Sequence, residues 1–269
     1  QKSLELHLEC LALYEKLFGK EHPDYALSLN NIAISYSDLG DYQRSLELHL
    51  ECLALRENLF SKEHPDYEIS LSNLGYLYIR MKDYHQASQY LIDSYNLGFF
   101  RLRLYEKTLN DNLVSDIYNS LFLENQLIFN IKMQMNNLTE IFDPYNILCS
   151  LKGRELSKNS SMISDIYKSD DDELISLYQD WIGVNKTLSL CYEKSLVERN
   201  DLNLDIIKIQ DKADEIERQL VKSSNLFAAS QYNYSFNDIV SYIKKDEVYI
   251  DIINVPNYDF NKYIWSGSN

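Results

Sequence analysis

Glycine and proline are scarce in this chain, 7 and 4 among 269 residues. So few turn formers predict long helices joined by short connections. Basic residues are also in short supply. With 26 Lys and Arg against 41 Asp and Glu the formal charge is −15, which repels phosphate backbones and anionic lipid and argues against direct nucleic-acid binding. No apolar run reaches the roughly 18 residues of a membrane span, and the opening QKSLELHLEC lacks the basic and apolar regions of a secretory signal. A cytoplasmic protein without a membrane partner is expected. Cys10, Cys52, Cys149 and Cys191 lie far apart, with no CxxC or Cys/His cluster at metal-ligand spacing. Neither disulfides, nor zinc, nor any other metal or cofactor is expected.

What is present is a repeat. Residues 1–42 (QKSLELHLECLALYEKLFGKEHPDYALSLNNIAISYSDLGDY) recur as residues 43–84 (QRSLELHLECLALRENLFSKEHPDYEISLSNLGYLYIRMKDY) with about two-thirds of positions identical. Cys10 and Cys52 hold the same place in the two copies, as small buried residues do. Each unit reads as two antiparallel helices. In the first, from about Tyr25 to Leu39, the residues Leu29, Ile32, Ala33 and Tyr36 recur at spacings of three and four and form an inward stripe. Gly40 follows where a left-handed residue ends a helix, and Asp41 and Tyr42 open the next. The second copy carries Lys82 there, at a cost of about 1 kcal/mol if the same geometry is kept. The second helix of the unit is expected to bury Leu46, Leu50, Leu53 and Phe60 before breaking at Glu63-His64-Pro65-Asp66. Pro65 suits a first helical turn, and His22 and His64, beside helix starts, read as turn or capping residues.

The pattern of Gly19, His22-Pro23, Leu29-Asn30-Asn31-Ile32-Ala33, Tyr36, Gly40-Asp41-Tyr42, Leu46 and Leu55 resembles the tetratricopeptide repeat of kinesin light chains and many bacterial proteins. It extends to about residue 98, since HQASQYLIDSYNL (85–97) looks like one more second helix with Ala87 at the small-residue position. The chain then opens inside a repeat, so upstream repeats or truncation are expected. The resemblance implies that the first helix of each pair lines a groove. On a helical wheel Asn30, Asn31, Ile34 and Asp38 flank the inward stripe, with Ser72, Asn73, Tyr76 and Arg80 as counterparts. The candidate partner-binding residues are therefore Asn30, Asn31, Ile34, Asp38, Asn73, Tyr76 and Arg80. An Asn amide both donates to and accepts from an extended backbone, which suits capture of a protein or peptide. The alternative is that these Asn residues bond neighbouring helices.

Beyond Gly98 the period vanishes. Long helical segments are expected over 99–136 and 138–157, then a polar stretch with an acidic run, Asp170 to Glu173, read as charge at a helix start rather than a cation site. Residues 174–221 read as one or two amphipathic helices with Ile206, Ile209, Ala213, Ile216 and Leu220 on one seam, an intramolecular hairpin. A β run, EVYIDIINV (247–255), and FNKYIW (260–265) are expected to pair as a hairpin at the end.

The order of LKGRELS (151–157), a polar loop, a charged helical hairpin and FNDIVSYIKKDE leading into EVYIDIINV resembles the lead-in to CHAT domains, caspase-like proteases that often follow tetratricopeptide repeats. That resemblance implies a cysteine protease with a His base. Here all five His residues (His7, His22, His49, His64, His85) lie in the repeats, so no catalytic residue is assigned and the chain is expected to end near the start of such a domain. The overall expectation is a mainly α protein: a tetratricopeptide solenoid (1–98), a helical hairpin region (99–234) and the beginning of a CHAT-like α/β domain (235–269) with a small β-hairpin. Its expected role is a non-catalytic scaffold or regulatory region of a CHAT-type protease, the alternative being a plain adaptor.

Overall fold

The Glu-His-Pro-Asp-Tyr turn decides where the helices start. A computed structural model describes residues 2–108, 111–135, 160–224, 227, 258–259 and 264–265. Helix α1 spans Lys2–Phe18, α2 Pro23–Asp38, α3 Tyr42–Leu59, α4 Pro65–Arg80 and α5 Tyr84–Glu106. His22 Nδ1 accepts the Asp24 N–H at 3.2 Å and His64 Nδ1 accepts that of Asp66 at 3.0 Å, each capping a helix whose first residue is proline. The capping role read from the sequence is what both histidines perform. Asp41 Oδ1 accepts the Arg44 N–H at 3.3 Å and opens α3. Gly40 and Lys82 both take left-handed backbone, φ 83° and 63°, so the second copy keeps the turn without its glycine.

The described residues fall into two compact units, one drawn from Gln1–Arg101 and Cys191–Leu204, the other from Leu102–Leu190 and Asp205–Tyr258. In the first, α2 buries Tyr25, Ala26, Leu29, Ile32 and Ala33; Leu29, Ile32 and Ala33 of the expected stripe are inside, while its fourth member, Tyr36, is only half-buried. The stripe expected for α3 is different. Leu50 is exposed and Leu46 and Leu53 are only half-buried, while Ser45, His49, Cys52 and Arg56 are buried, with Phe60 at the helix end. Cys52 Sγ donates to the Ala26 carbonyl oxygen at 3.2 Å, and Arg56 donates to the Asp66 carbonyl oxygen at 2.8 Å and to Ser70 Oγ at 2.9 Å. These bonds replace the water that a buried guanidinium loses. Gly75 marks the tightest approach: a Cβ there would lie 2.6 Å from Leu91 Cγ of α5.

A segment distant in sequence completes this unit. Residues 191–204 carry a short helix with a capping box between Ser195 and Glu198. Arg199, buried, donates to the Cys191 carbonyl oxygen at 2.6 Å and to Ser61 Oγ at 3.2 Å, and Tyr192 meets Phe100 edge-on at 5.4 Å.

In the second unit α6 spans Asp111–Gln134, α7 Ser160–Tyr167, α8 Asp172–Tyr192 and α10 Ile206–Ser223, with α9 (Leu196–Asp201) being the short helix already described. The single helix expected over 99–136 is two, because α5 runs through Gly98 to Glu106 and α6 starts only at Asp111. Asp171 Oδ1 accepts the Leu174 N–H at 3.0 Å at the start of α8, the helix-start role expected of the acidic run. Ala213, Ile216 and Leu220 turn inward, and the last two join Ile166, Tyr178, Trp181, Ile182 and Phe227 in one apolar cluster. Burial pushes the Tyr178 phenol up to about 12. Beside this cluster Glu217 accepts from Lys107 Nζ at 2.7 Å and from Trp181 Nε1 at 3.2 Å.

The hairpin expected over 247–265 is not borne out: only Tyr258–Asp259 and Ile264–Trp265 are described, as two-residue strands in one two-stranded sheet. EVYIDIINV, the helix expected over 138–157 with LKGRELS, and Cys149 lie outside the described residues. Among the described residues no helix is long and apolar enough to cross a membrane, and no cluster of His, Cys, Asp or Glu could hold a metal ion.

Candidate partner-binding face

Helices α2 and α4 are the first helices of consecutive repeats, and side chains on their flanks are bonded directly. Asn73 Nδ2 of α4 donates to Asn30 Oδ1 of α2 at 2.8 Å, and Asn30 is buried. This pair does what the alternative reading described: it ties repeat to repeat. Asp38 and Arg80 form a second tie at 2.7 Å, with the Arg80 guanidinium 5.6 Å over the Tyr42 ring. Of the seven candidates these four are joined in pairs.

The remaining three have different surroundings. Asn31 is half-buried, its carbonyl oxygen accepting from Ser35 Oγ at 2.9 Å while its amide side chain makes no hydrogen bond among the described residues. Ile34 is exposed at 39% and Tyr76, its counterpart one repeat on, is half-buried. Two residues that the sequence reading left out belong with them. Leu27 and Ile69, at equivalent positions, are 49% and 46% exposed, four residues before Asn31 and Asn73 and therefore one turn along the same face. The signal was available in the spacing, since an apolar residue repeating outside the inward stripe in both copies has no core to enter.

The face thus consists of two parallel rows, Leu27-Asn31-Ile34-Asp38 and Ile69-Asn73-Tyr76-Arg80. Apolar side chains alternate along each row with amides and with a charge pair already neutralised. Such a surface offers hydrophobic contact, an open amide and a paired charge.

The turn between α3 and α4 is polar and partly buried. His64 stacks on Phe60 at 3.9 Å, and its Nε2 lies 3.2 Å from the Glu193 carbonyl oxygen. Because Nδ1 accepts from Asp66, the proton sits on Nε2 and is donated to Glu193. Burial, more than any neighbouring charge, holds the His64 pKa below its ordinary value. Burial likewise keeps the Cys52 thiol neutral by raising its pKa. Glu68, also shifted up by burial, is paired with Arg101.

The tetratricopeptide repeat model matches the chain over residues 1–58 and again over residues 27–97. No curated protein matches it.

Proposed function

We propose that this chain, a protein-interaction scaffold built on tetratricopeptide repeats, holds an extended segment of a partner protein along α2 and α4. The observation that carries the reading is the doubled row of exposed Leu27, Ile34 and Ile69 beside half-buried Asn31 and Tyr76. A strand-like segment alternates its side chains and leaves its own amides to be bonded, which fits apolar positions alternating with an amide. Asn31 bonds the partner backbone; Ile34, Tyr76, Leu27 and Ile69 receive its side chains. Asn30, Asn73, Asp38 and Arg80 fix the two helices in register.

The wider setting rests on the family resemblance over about residues 140–265. The repeats are the regulatory part of a CHAT-type, caspase-like cysteine protease, and this chain is its non-catalytic portion, kinesin-light-chain-like in its repeats.

The test is selection of binding segments from a displayed peptide library on the full chain, followed by substitution. Asn31→Ala and Ile34→Asp are expected to weaken a selected segment about tenfold or more, the scale of one lost contact of 1 to 3 kcal/mol, with unchanged thermal midpoints. Leu50→Asp, on an exposed face of α3, should leave binding intact. Selected segments indifferent to Asn31 and Ile34 would overturn the reading.

A further inference from the structure

The two copies of the repeat turn are alike in their own bonds and unlike in what meets them. In each, a histidine caps the following helix and stacks on the preceding phenylalanine. The second copy carries Ser61 where the first has Gly19. Ser61 is also where the distant segment 191–204 attaches, its Oγ accepting from Arg199 Nη2 at 3.2 Å. The segment is fastened further by the His64 Nε2–H donated to the Glu193 carbonyl oxygen at 3.2 Å, and by the Tyr192 ring against Phe100 of α5.

This segment holds its own shape. The Ser195–Glu198 capping box, the Lys194–Glu198 ion pair at 3.2 Å, the Arg199 bond to the Cys191 carbonyl oxygen and the Leu204 N–H bond to the Arg199 carbonyl oxygen at 2.8 Å all lie within it. Leu196, Val197 and Leu202 are 41%, 68% and 56% exposed, so these apolar side chains do not hold it to the repeats. Hydrogen bonds fasten a preformed piece, and each such bond is individually weak.

One proton alters the His64 fastening. The ring uses both nitrogens at once, Nδ1 accepting the Asp66 N–H and Nε2 donating to Glu193, which only a neutral imidazole does. A second proton belongs on Nδ1, where it opposes the Asp66 N–H, so the ring must turn and the Glu193 bond goes with it. Arg199 of the segment and Arg101 of α5 oppose that proton, and the Asp66 carboxylate favours it. Glu68 is engaged by Arg101, and Glu63, in the turn itself, acts on Tyr192 and Arg199. Burial raises the Cys191 thiol and the Tyr192 phenol, which stay neutral. Burial also outweighs Asp66 and holds His64 below its ordinary 6.5. Lifting the segment away removes Arg199 and part of that burial, so the ring accepts a proton more readily with the segment off. Closure is therefore complete above about pH 6.5 and is lost as pH falls through the lower value of the closed state.

We propose that residues 191–204 are a strap across the turn between α3 and α4, latched by the neutral His64 ring and released when that ring takes up a second proton. The residues flanking the strap in sequence, Leu190 and Asp205, belong to the second unit. Acid taken up in the repeats is thereby read out in a segment 129 residues further along the chain.

Amide exchange of the full chain by mass spectrometry, corrected for the intrinsic rate at each pH, measures closure of 195–204. Amides of α2 in the same sample report any acid response of the repeats as a whole. From pH 7.5 to 5.5 the protection of 195–204 should fall about tenfold relative to α2, within the limit of roughly one decade per pH unit that a single proton sets. His64→Asn keeps a helix-capping side chain and removes the titrating ring, so strap protection in that variant should not change with pH. His22→Asn, the same change in the copy without a strap, should leave the wild-type profile. Protection that is level over this range in the wild type, or that falls as steeply in His64→Asn, would overturn the proposal. A further measurement needs no variant: the His64 ring resonance, followed by NMR, should titrate with the midpoint of the exchange change, and separate midpoints would overturn the proposal as well.

Discussion

Helices α1 and α3 share eleven consecutive residues and differ in almost every measure of burial. Phe60, just past α3, is 5% exposed, whereas Phe18 at the end of α1 is 53% exposed. The local rules of capping and periodicity make both segments helical, and in both the following histidine stacks on the phenylalanine, at 4.5 Å for His22 and 3.9 Å for His64. What separates them is the set of neighbours. Helix α3 packs on α2 and bonds α4, and residues 60–64 receive the distant segment 191–204, whereas among the described residues α1 packs mainly on α2, through Leu11. Local sequence sets the helix and its register; the energy of that helix is set by what lies against it.

The largest test of this contrast is the same substitution made twice. Phe60→Ala removes a buried ring and should cost about 3 to 5 kcal/mol, whereas Phe18→Ala should cost less than about 1 kcal/mol. Urea unfolding of both variants, followed through amide exchange in the repeats, reads the difference. Equal losses would mean that α1 is covered in solution as α3 is.

Next in size is an acid transition confined to the second copy. Burial first, and the Arg56 charge second, lower the His49 pKa to about 4, and His49 Nδ1 is buried without a hydrogen bond. In the unfolded chain the imidazole takes its proton near 6.5. Between those values the unfolded state binds a proton that the folded state refuses, so stability is intact above about pH 6.5 and lost as pH falls towards 4. A shift of this size corresponds to about 3 kcal/mol. The measurement is the pH dependence of unfolding for wild type minus that of His49→Gln. A difference that stays flat from pH 7 to 4 would show His49 to be hydrated.

Much of this arrangement was written in the sequence because it is local. The 42-residue repeat gives the order of the repeat helices, Pro23 and Pro65 mark the helix starts, and His22 and His64 beside them cap as expected. The buried face of α3 was not legible. Leucines occupy several sides of that helix, so apolar spacing alone could not choose among them, and the residues that go inside include Ser45, His49 and Arg56. Arg56 is tolerated there only because the Asp66 carbonyl and Ser70 Oγ await it across a loop. The contact of His64 with Glu193, 129 residues away, has no local signature at all. For the partner-binding face, Asn31 and Ile34 remain open while Asn30 and Asn73 bond each other. The difference between an open amide at position 31 and one at position 30 that bonds the next repeat is a rotation of about 100° on the helix.

The second and third second-helices offer a smaller test. Where α4 carries Gly75, the first copy carries Ala33, and where α5 carries Leu91, α3 carries His49. A methyl group at Gly75 would meet Leu91 Cγ at 2.6 Å and the Leu91 backbone nitrogen at 3.4 Å. Gly75→Ala is therefore expected to destabilise by about 1 to 3 kcal/mol through overpacking, despite alanine's better helix propensity. Leu91→Ala should lose stability alone but largely absorb the effect of Gly75→Ala in the double variant. Additive losses in that cycle would show that the two side chains do not meet.

The smallest effect distinguishes the two copies at the turn that joins their helices. Gly40 and Lys82 occupy the same position, both with left-handed backbone, at φ 83° and 63°. A Cβ at Gly40 would meet nothing within 4 Å, so the penalty there comes from backbone strain alone. Lysine at 82 already bears that strain. Lys82→Gly should thus raise stability by up to about 1 kcal/mol, reduced by the extra freedom glycine gives the unfolded chain, and Gly40→Lys should lower it by a similar amount. The two changes exchange the copies' residues at one site, so the sum of their effects measures how alike the two turns are. A sum near zero means that the repeats share one turn geometry in solution. A Lys82→Gly variant less stable than wild type would mean that the second turn relaxes out of the left-handed region, and that the chain after α4 enters α5 by a different path from the one that leads α2 into α3.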